Sequence, residues 1–339
     1  MKKLLCLFVT AAVLAPLAGQ DDGEFTKGGT SAAQFLKFPV DARSSSLGGT
    51  HSGIYGDVAS LHWNPAGIAA IDRFALAVSY FDLFVGIKHS FLGFVTKVGG
   101  SGAIGISAIV LSSGVIEETT IDEPEGTGAI FSVMNYALGL SYARYMTQWL
   151  MLGATVKYVR EDLWHETAQA VAVDIGSVLE TGIWGMKLGM SVSNLGPDMT
   201  LEGQDLLLPL EQPGFTDARG ARLKTEAWPL PWRFQAGVAV DIIGGSNQTF
   251  SSDVSRVTVL SQYEEVNDAG TRGNFGIEYQ WNKMVSIRTG YFSGYDTARL
   301  SYGLGGSFSM GTNQLQLDYA LVDFARLGYV HQTTLGVKF

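Results

Sequence analysis

From Phe74 onward the chain alternates, residue by residue, between apolar side chains and small or polar ones. A period of two marks extended strands with two different faces. In residues 312–322, Leu315, Leu317, Tyr319 and Leu321 share one face, and Gln314, Gln316, Asp318 and Ala320 the other. Residues 232–242 set Trp232, Phe234, Ala236, Val238, Val240 and Ile242 against Arg233, Gln235, Gly237, Ala239 and Asp241. The same division separates Phe275, Ile277, Tyr279 and Trp281 from Gly276, Glu278 and Gln280.

Alternation alone does not separate a soluble sandwich, with its apolar face inside, from a membrane barrel, with its apolar face out. Three features choose the barrel. The segments run to about ten residues, enough to cross a bilayer when tilted, whereas globular strands usually have about five or six. Aromatic residues such as Tyr136, Tyr142, Tyr145, Trp281 and Tyr291 gather near segment ends, where they suit the membrane boundary. The polar face is rich in Gly and Ser rather than Lys and Glu, which fits a crowded lumen.

About fourteen strands are predicted, an even number as in bacterial single-chain barrels. They begin near Phe74, Lys88, Gly102, Val133, Trp149, Ala168, Trp184, Trp232, Ser255, Thr271, Met284, Leu300, Thr312 and Tyr329. With the N-terminus placed in the periplasm, residues 99–101, 146–148, 282–283 and 310–311 become tight periplasmic turns. Residues 113–132, 162–167, 196–231, 264–270 and 323–328 become the outer loops, matching the length asymmetry of such barrels. Residues 244–254 are an exception, a longish connection on the periplasmic side.

Composition supports a membrane location. Charged residues make up 16% of the 339 positions, and there are 42 glycines; soluble domains carry about 25% charge and about 7% Gly. Residues 1–19 read as a secretory signal, with Lys2 and Lys3 before an apolar stretch and a small-residue exit at Ala18-Gly19. Pro16 interrupts that stretch, which is too short for a spanning helix. The single cysteine, Cys6, lies inside the signal and lacks the surroundings of a lipid-attachment site, so neither a disulfide nor a thiolate metal site is expected afterwards. No later apolar run reaches spanning length, which leaves a closed barrel as the means of crossing lipid. A net charge of −9 argues against a nucleic-acid partner.

Residues 20–73 lack the barrel pattern. Asp57 is expected to cap a short helical turn over residues 57–61, and Asn64 to cap a second one opened by Pro65. A segment this polar, placed directly before a barrel, is expected to fold into the lumen or close its periplasmic mouth. The domains are then signal 1–19, plug 20–73 and barrel 74–339.

The stretch Ala32-Ala33-Gln34-Phe35-Leu36-Lys37, Asp41-Ala42-Arg43, Leu47-Gly48-Gly49, residues 57–61 and Trp63-Asn64-Pro65-Ala66-Gly67 resembles the opening of the PorV/PorQ family. That family looks like a branch of the fourteen-stranded FadL-like barrels, whose members share an Asn-Pro-Ala-type plug segment. The motif match covers about 45 residues of this chain, and the strand count extends the agreement. The resemblance implies a component of type IX secretion and surface attachment, working beside a large translocon barrel and receiving secreted cargo. A FadL-like reading implies instead a passage for fatty acids or other apolar molecules, out sideways through the wall.

Several positions are candidates for these roles. The plug motif is Asp57, Trp63, Asn64, Pro65 and Gly67. The long loop 196–231 holds five of the nine prolines and the apolar patch Leu206, Leu207, Leu208, Pro209 and Leu210, either a docking site for a partner or a lid over its own barrel. Lys157, Asp174, Lys187, Arg233, Asp241, Glu278, Arg288 and Asp318 fall on the lumen face, where pairing and plug anchoring are expected more than a selectivity ring. Leu335, Val337 and Phe339 resemble the terminal signal read by the barrel-insertion machinery. The five histidines show no metal-ligand spacing, and no activated nucleophile or carboxylate pair is visible, so no cofactor, metal or catalytic residue is expected.

Overall fold

The computed structural model describes residues 28–210, 219–245 and 250–339; of residues 208–210 and 219–221 only the backbone is described. Residues 1–27, which include the expected signal, lie outside it, as do the side chains of Leu208, Pro209 and Leu210.

Fourteen long antiparallel strands form a closed barrel. They are β1 (Phe74–Asp82), β2 (Lys88–Val98), β3 (Gly102–Ser112), β4 (Val133–Tyr145), β5 (Leu150–Leu163), β6 (Glu166–Glu180) and β7 (Lys187–Leu195), followed by β8 (Arg233–Gly244), β9 (Ser255–Val266), β10 (Arg272–Trp281), β11 (Val285–Ser293), β12 (Leu300–Met310), β13 (Asn313–Asp323) and β14 (Tyr329–Lys338). Each strand pairs with its sequence neighbours, and β14 closes on β1 with Leu335 opposite Val78 and Val337 opposite Leu76. Phe339 completes the seam: its amide donates to the Phe74 carbonyl at 3.0 Å and its ring stacks on Phe74 at 4.1 Å.

Most predicted strand starts fall within one or two residues of the observed ones. The exception is Trp184, which adopts φ 52° in the turn before β7, so this strand begins three residues later, at Lys187. The faces are as the alternation requires. Leu140, Ile277, Leu304 and Leu317 point outward, while Asp318, Ala320, Arg288 and Glu278 are buried within. The outward side chains form the apolar band, with Trp149, Trp281, Tyr302 and Tyr329 among its aromatic members. A closed barrel with an apolar exterior satisfies every condition for crossing lipid, and the protein is a multi-pass outer-membrane barrel. The short turns, at the end where β1 starts and β14 finishes, mark the periplasmic side.

Residues 28–71 thread the lumen. Near the outer mouth the Ala32 amide donates to the Pro229 carbonyl at 2.9 Å. Further in, the Ala42 amide donates to Thr334 Oγ1 at 2.8 Å, and those of His51 and Ser52 donate to Gln262 Oε1, both at 3.0 Å. At the periplasmic end Lys338 Nζ donates to the Gly56 carbonyl at 2.7 Å. The lumen-facing glycines explain how backbone can lie so close to the wall. A Cβ on Gly153 would sit 2.5 Å from the Ala66 nitrogen, and one on Gly189 would collide with the Ser52 carbonyl. The high glycine content thus makes room for the plug.

Candidate functional site

The plug is built from short helices, two of them held by a polar side-chain cap. Asp41 caps α1 (Ala42–Ser46), accepting from the Ser44 amide at 2.8 Å; its other oxygen accepts from Trp63 Nε1 at 2.9 Å. Asn64 caps the 3-10 turn Pro65–Ala70, as Asn before Pro suggests, and accepts from the Ala66 amide at 3.3 Å. Its Nδ2 reaches the Ser177 carbonyl on β6 at 3.0 Å, so one side chain both caps the turn and docks it on the wall. Gly67 packs against the Ser60 hydroxyl, with no space for a Cβ.

Asp57 opens the turn expected over 57–61: its carbonyl accepts from the Ser60 amide and its carboxylate from the Ala59 amide, both at 3.2 Å, and the turn runs on into α2 (Ser60–Trp63). The carboxylate also pairs with Arg43 at 3.5 Å. Burial alone would raise its pKa, but the charges of Lys338 and Arg43 outweigh this and hold it below the usual carboxylate range. Asp41 is pushed the other way, by burial and then by Asp57. His51, buried between the Ser44 and Ser60 hydroxyls at 2.7 and 3.1 Å, is lowered by desolvation to about 4.

Seven of the eight lumen charges lie in ion pairs. Lys157 meets Asp174 at 2.8 Å, and Asp241 takes both Lys187 at 3.4 Å and Arg256 at 2.6 Å. Arg288 bridges Glu278 at 2.7 Å and Asp318 at 2.6 Å, and the plug's Arg43 joins through Glu278 at 2.7 Å. Arg233 has no carboxylate within ion-pair distance among the described residues; it lies over the Trp63 ring at 4.9 Å. Sequence reasoning missed Arg43, Arg256, Asp268 and Glu264. Arg256 and Glu264 were reachable from the alternation of β9, but Asp268 sits in a turn that carries no periodic signal.

Two sides of the lumen differ. Towards the periplasmic end, on the β8–β13 side, it retains voids of about 450, 220 and 160 Å³, whose linings include Arg256, Glu278, Gln280 and Gln314. On the β1–β6 side an apolar cluster runs the length of the lumen, from Ala75, Ala103, Ala143 and Met151 at the periplasmic end to plug residues Phe35, Leu36 and Val40 at the outer end, where it takes in Val159, Ala168, Ala170 and Ala172 of the wall and Met199 and Leu230 of the long loop.

Beside that cluster the wall is interrupted. β6 pairs with the loop at Thr167 and with β7 from Val173, but among the described residues positions 168–172 have no ladder partner on that side. β7 stops short because Asn194 turns to φ 63°, a left-handed conformation that Asn tolerates better than most residues. Its amide donates to Asp174 Oδ1 at 2.8 Å, its Nδ2 donates to the Pro231 carbonyl at 3.0 Å, and its Oδ1 accepts from Lys157 at 2.5 Å. Pro197, Pro229 and Pro231 have no N–H to extend a ladder there. The described residues at the two ends of the loop 196–231 thus run beside the interruption and turn Met199 and Leu230 inward. Its middle forms a ribbon in which Leu207–Leu210 pairs with Arg219–Arg222, with Leu206 half-buried and Leu207 exposed.

Comparison with known proteins agrees with this architecture. The toluene transporter TbuX of Ralstonia pickettii superposes with a TM-score of 0.55 at 12% identity, over 89% of this chain and 98% of that one. The toluene transporter TodX of Pseudomonas putida gives 0.54 at 14%, over 88% and 96%, and a FadL homologue of Pseudomonas aeruginosa gives 0.53 at 13%, over 88% and 98%. The fold is that of the FadL-like outer-membrane barrels. Likeness at such identities concerns the fold alone. A family model described as an uncharacterised protein family, UPF0164, matches residues 9–174, and no curated protein matches the sequence.

Proposed function

We propose that this protein is a non-catalytic channel carrying small apolar molecules across the outer membrane. The supporting observation is the outer end of the apolar cluster, lying directly beside the interrupted wall between β6 and β8. An apolar solute can exchange for side chains such as Met199 and Leu230 there without entering water, because apolar surface transfers favourably between apolar surroundings. The voids towards the periplasmic end, with Arg256, Glu278, Gln280 and Gln314 in their linings, then release it past the plug. That the fold's relatives include two proteins described as toluene transporters fits this reading. The test is uptake of labelled toluene and of a long-chain fatty acid by a deletion strain and its complemented parent. Slower uptake of either compound on deletion supports the channel, and equal rates for both would rule it out.

A second reading rests on the ribbon of the long loop, where Leu207 stands exposed at the outer face. It makes the barrel a PorV/PorQ-like component of type IX secretion, with residues 1–19 as signal, 20–73 as plug and 74–339 as barrel. Its partners are outer-membrane lipid, a large translocon barrel and secreted cargo, and the barrel-insertion machinery reads Leu335, Val337 and Phe339 during biogenesis. Deleting residues 206–210 would then leave insertion intact and abolish co-purification of a large barrel in mild detergent. Unchanged co-purification would remove the loop from that role.

A further inference from the structure

Arg233 opens β8, faces the lumen and is 2% exposed. Its Nη2 lies 3.3 Å from His62 Nε2. A guanidinium only donates, so His62 accepts on Nε2 and, being neutral, carries its proton on Nδ1. Neutrality is consistent with the pKa of His62, which burial and then the charge of Arg233 hold well below its ordinary value. The accounting of polar atoms then leaves Arg233 Nε–H and His62 Nδ1–H as buried donors without an acceptor among the described residues. Ser193, directly opposite Arg233 on β7 and also buried, has a hydroxyl in the same condition.

The charges around it are committed elsewhere. Asp174 faces Lys157, Asp268 pairs with Lys37, and Glu264 is taken by Gln235, Arg272 and Tyr295. None of these carboxylates lies within ion-pair distance of Arg233, so among the described residues its charge has no direct partner. An isolated buried cation is costly unless a counter-charge accompanies it. A water molecule could satisfy the donors, but it would not balance the charge.

The geometry points to a binding site for a compact monovalent anion, of halide or carboxylate size, on the Arg233 guanidinium and the Ser193 hydroxyl, with His62 against Nη2 beside it. Two sources supply that chemistry. One is free chloride. The other is the carboxylate of an apolar acid whose body lies in the adjacent cluster with Leu230, three residues before Arg233. The site stands on the unpaired guanidinium and the orphaned donors around it, and is independent of whether the barrel transports.

The experiment is the thermal unfolding midpoint of the full protein in detergent, titrated with sodium chloride, acetate or benzoate at ionic strength held constant with sodium sulfate. A saturable rise in the wild type, absent in Arg233→Gln and shifted at least tenfold to higher concentration in Ser193→Ala, is the expected result. Benzoate acting at least tenfold lower in concentration than acetate identifies the apolar carboxylate; chloride acting at or below the concentrations of both identifies the free ion. No saturable rise in the wild type overturns the site, as does an unchanged rise in Arg233→Gln. If Arg233→Gln does not fold, Ser193→Ala decides in the same way. Transport is not measured, so a negative result here leaves the channel reading untouched, and the reverse holds too.

Discussion

Ser31, near the start of the described plug, donates from its hydroxyl to Asp268 in the outer turn between β9 and β10, at 2.5 Å and across 237 positions of sequence. Gln34 adds a second donor to the same oxygen at 2.7 Å, and Lys37 pairs with the other one. In the same turn Asn267 donates to the Leu230 carbonyl at 2.9 Å. The plug's first turn, which bears Phe35 and Leu36, is therefore tied to the outer loops that lie beside the interrupted wall.

Replacing Asp268 with Ala should release that first turn. Hydrogen bonds to charged groups contribute about 1.5–3 kcal/mol each, so we expect the turn to lose about 2 kcal/mol of local protection while the barrel persists. Amide exchange over residues 31–38, measured beside residues of β12 as an internal control, checks this. Unchanged exchange would mean that the apolar contacts of Phe35 and Leu36 hold the turn by themselves.

Gly189→Val places side-chain atoms where the Ser52 carbonyl lies. The plug must shift there, because backbone cannot yield as a flexible side chain does. We expect faster exchange across residues 48–56 with the barrel's heat-modifiable gel mobility retained. Gly270→Ala, where nothing lies within 4 Å of the added Cβ, is the matched control.

Arg288→Met removes the bridge between Glu278 and Asp318 and leaves Arg43 to neutralise Glu278 alone. Breaking a buried pair from one side costs about 3–5 kcal/mol. A matching fall in urea-unfolding stability is expected, with most of it recovered in Arg288→Met/Asp318→Leu, where the orphaned carboxylate is also removed.

Acid should loosen the plug through His51. Its folded pKa of about 4 lies below the ordinary imidazole value of 6.5. The unfolded chain therefore binds the proton first, and stability present above pH 6.5 is lost as pH falls towards 4. Asp41, raised by burial, works in the opposite sense: it favours its protonated form in the fold and so costs stability as pH rises through its unfolded value. His51→Gln keeps hydrogen-bonding capacity without the titration. The drop in plug protection between pH 6.5 and 4 should shrink in that variant, as read by amide exchange on both proteins.

The sequence by itself determined the barrel. A period of two is a local property of extended backbone, so strand count, inward and outward faces, and most starts could be read from residues such as Leu317 and Asp318 without knowing what lay across the lumen. The Asn64-Pro65 cap was legible for the same reason: its hydrogen bond closes within two residues. What joins residues distant along the chain could not be read that way. Asp268 looks like an ordinary turn residue until Ser31, Gln34 and Lys37 arrive at it from the other end of the molecule. Arg233 looks like one more paired lumen charge until the carboxylates around it prove to be occupied. Asp57 could be read as a cap, but not as a partner of Arg43 and a neighbour of the Lys338 charge. The interruption at residues 168–172 was decided by the bend at Asn194 and by the Pro-bearing loop that follows it, whose Gly196 lies against Val171 and Ala172 of β6. Only tertiary structure brings those groups together, because neither the charge balance nor the hydrogen-bond ladder of a closed barrel is a property of any single segment.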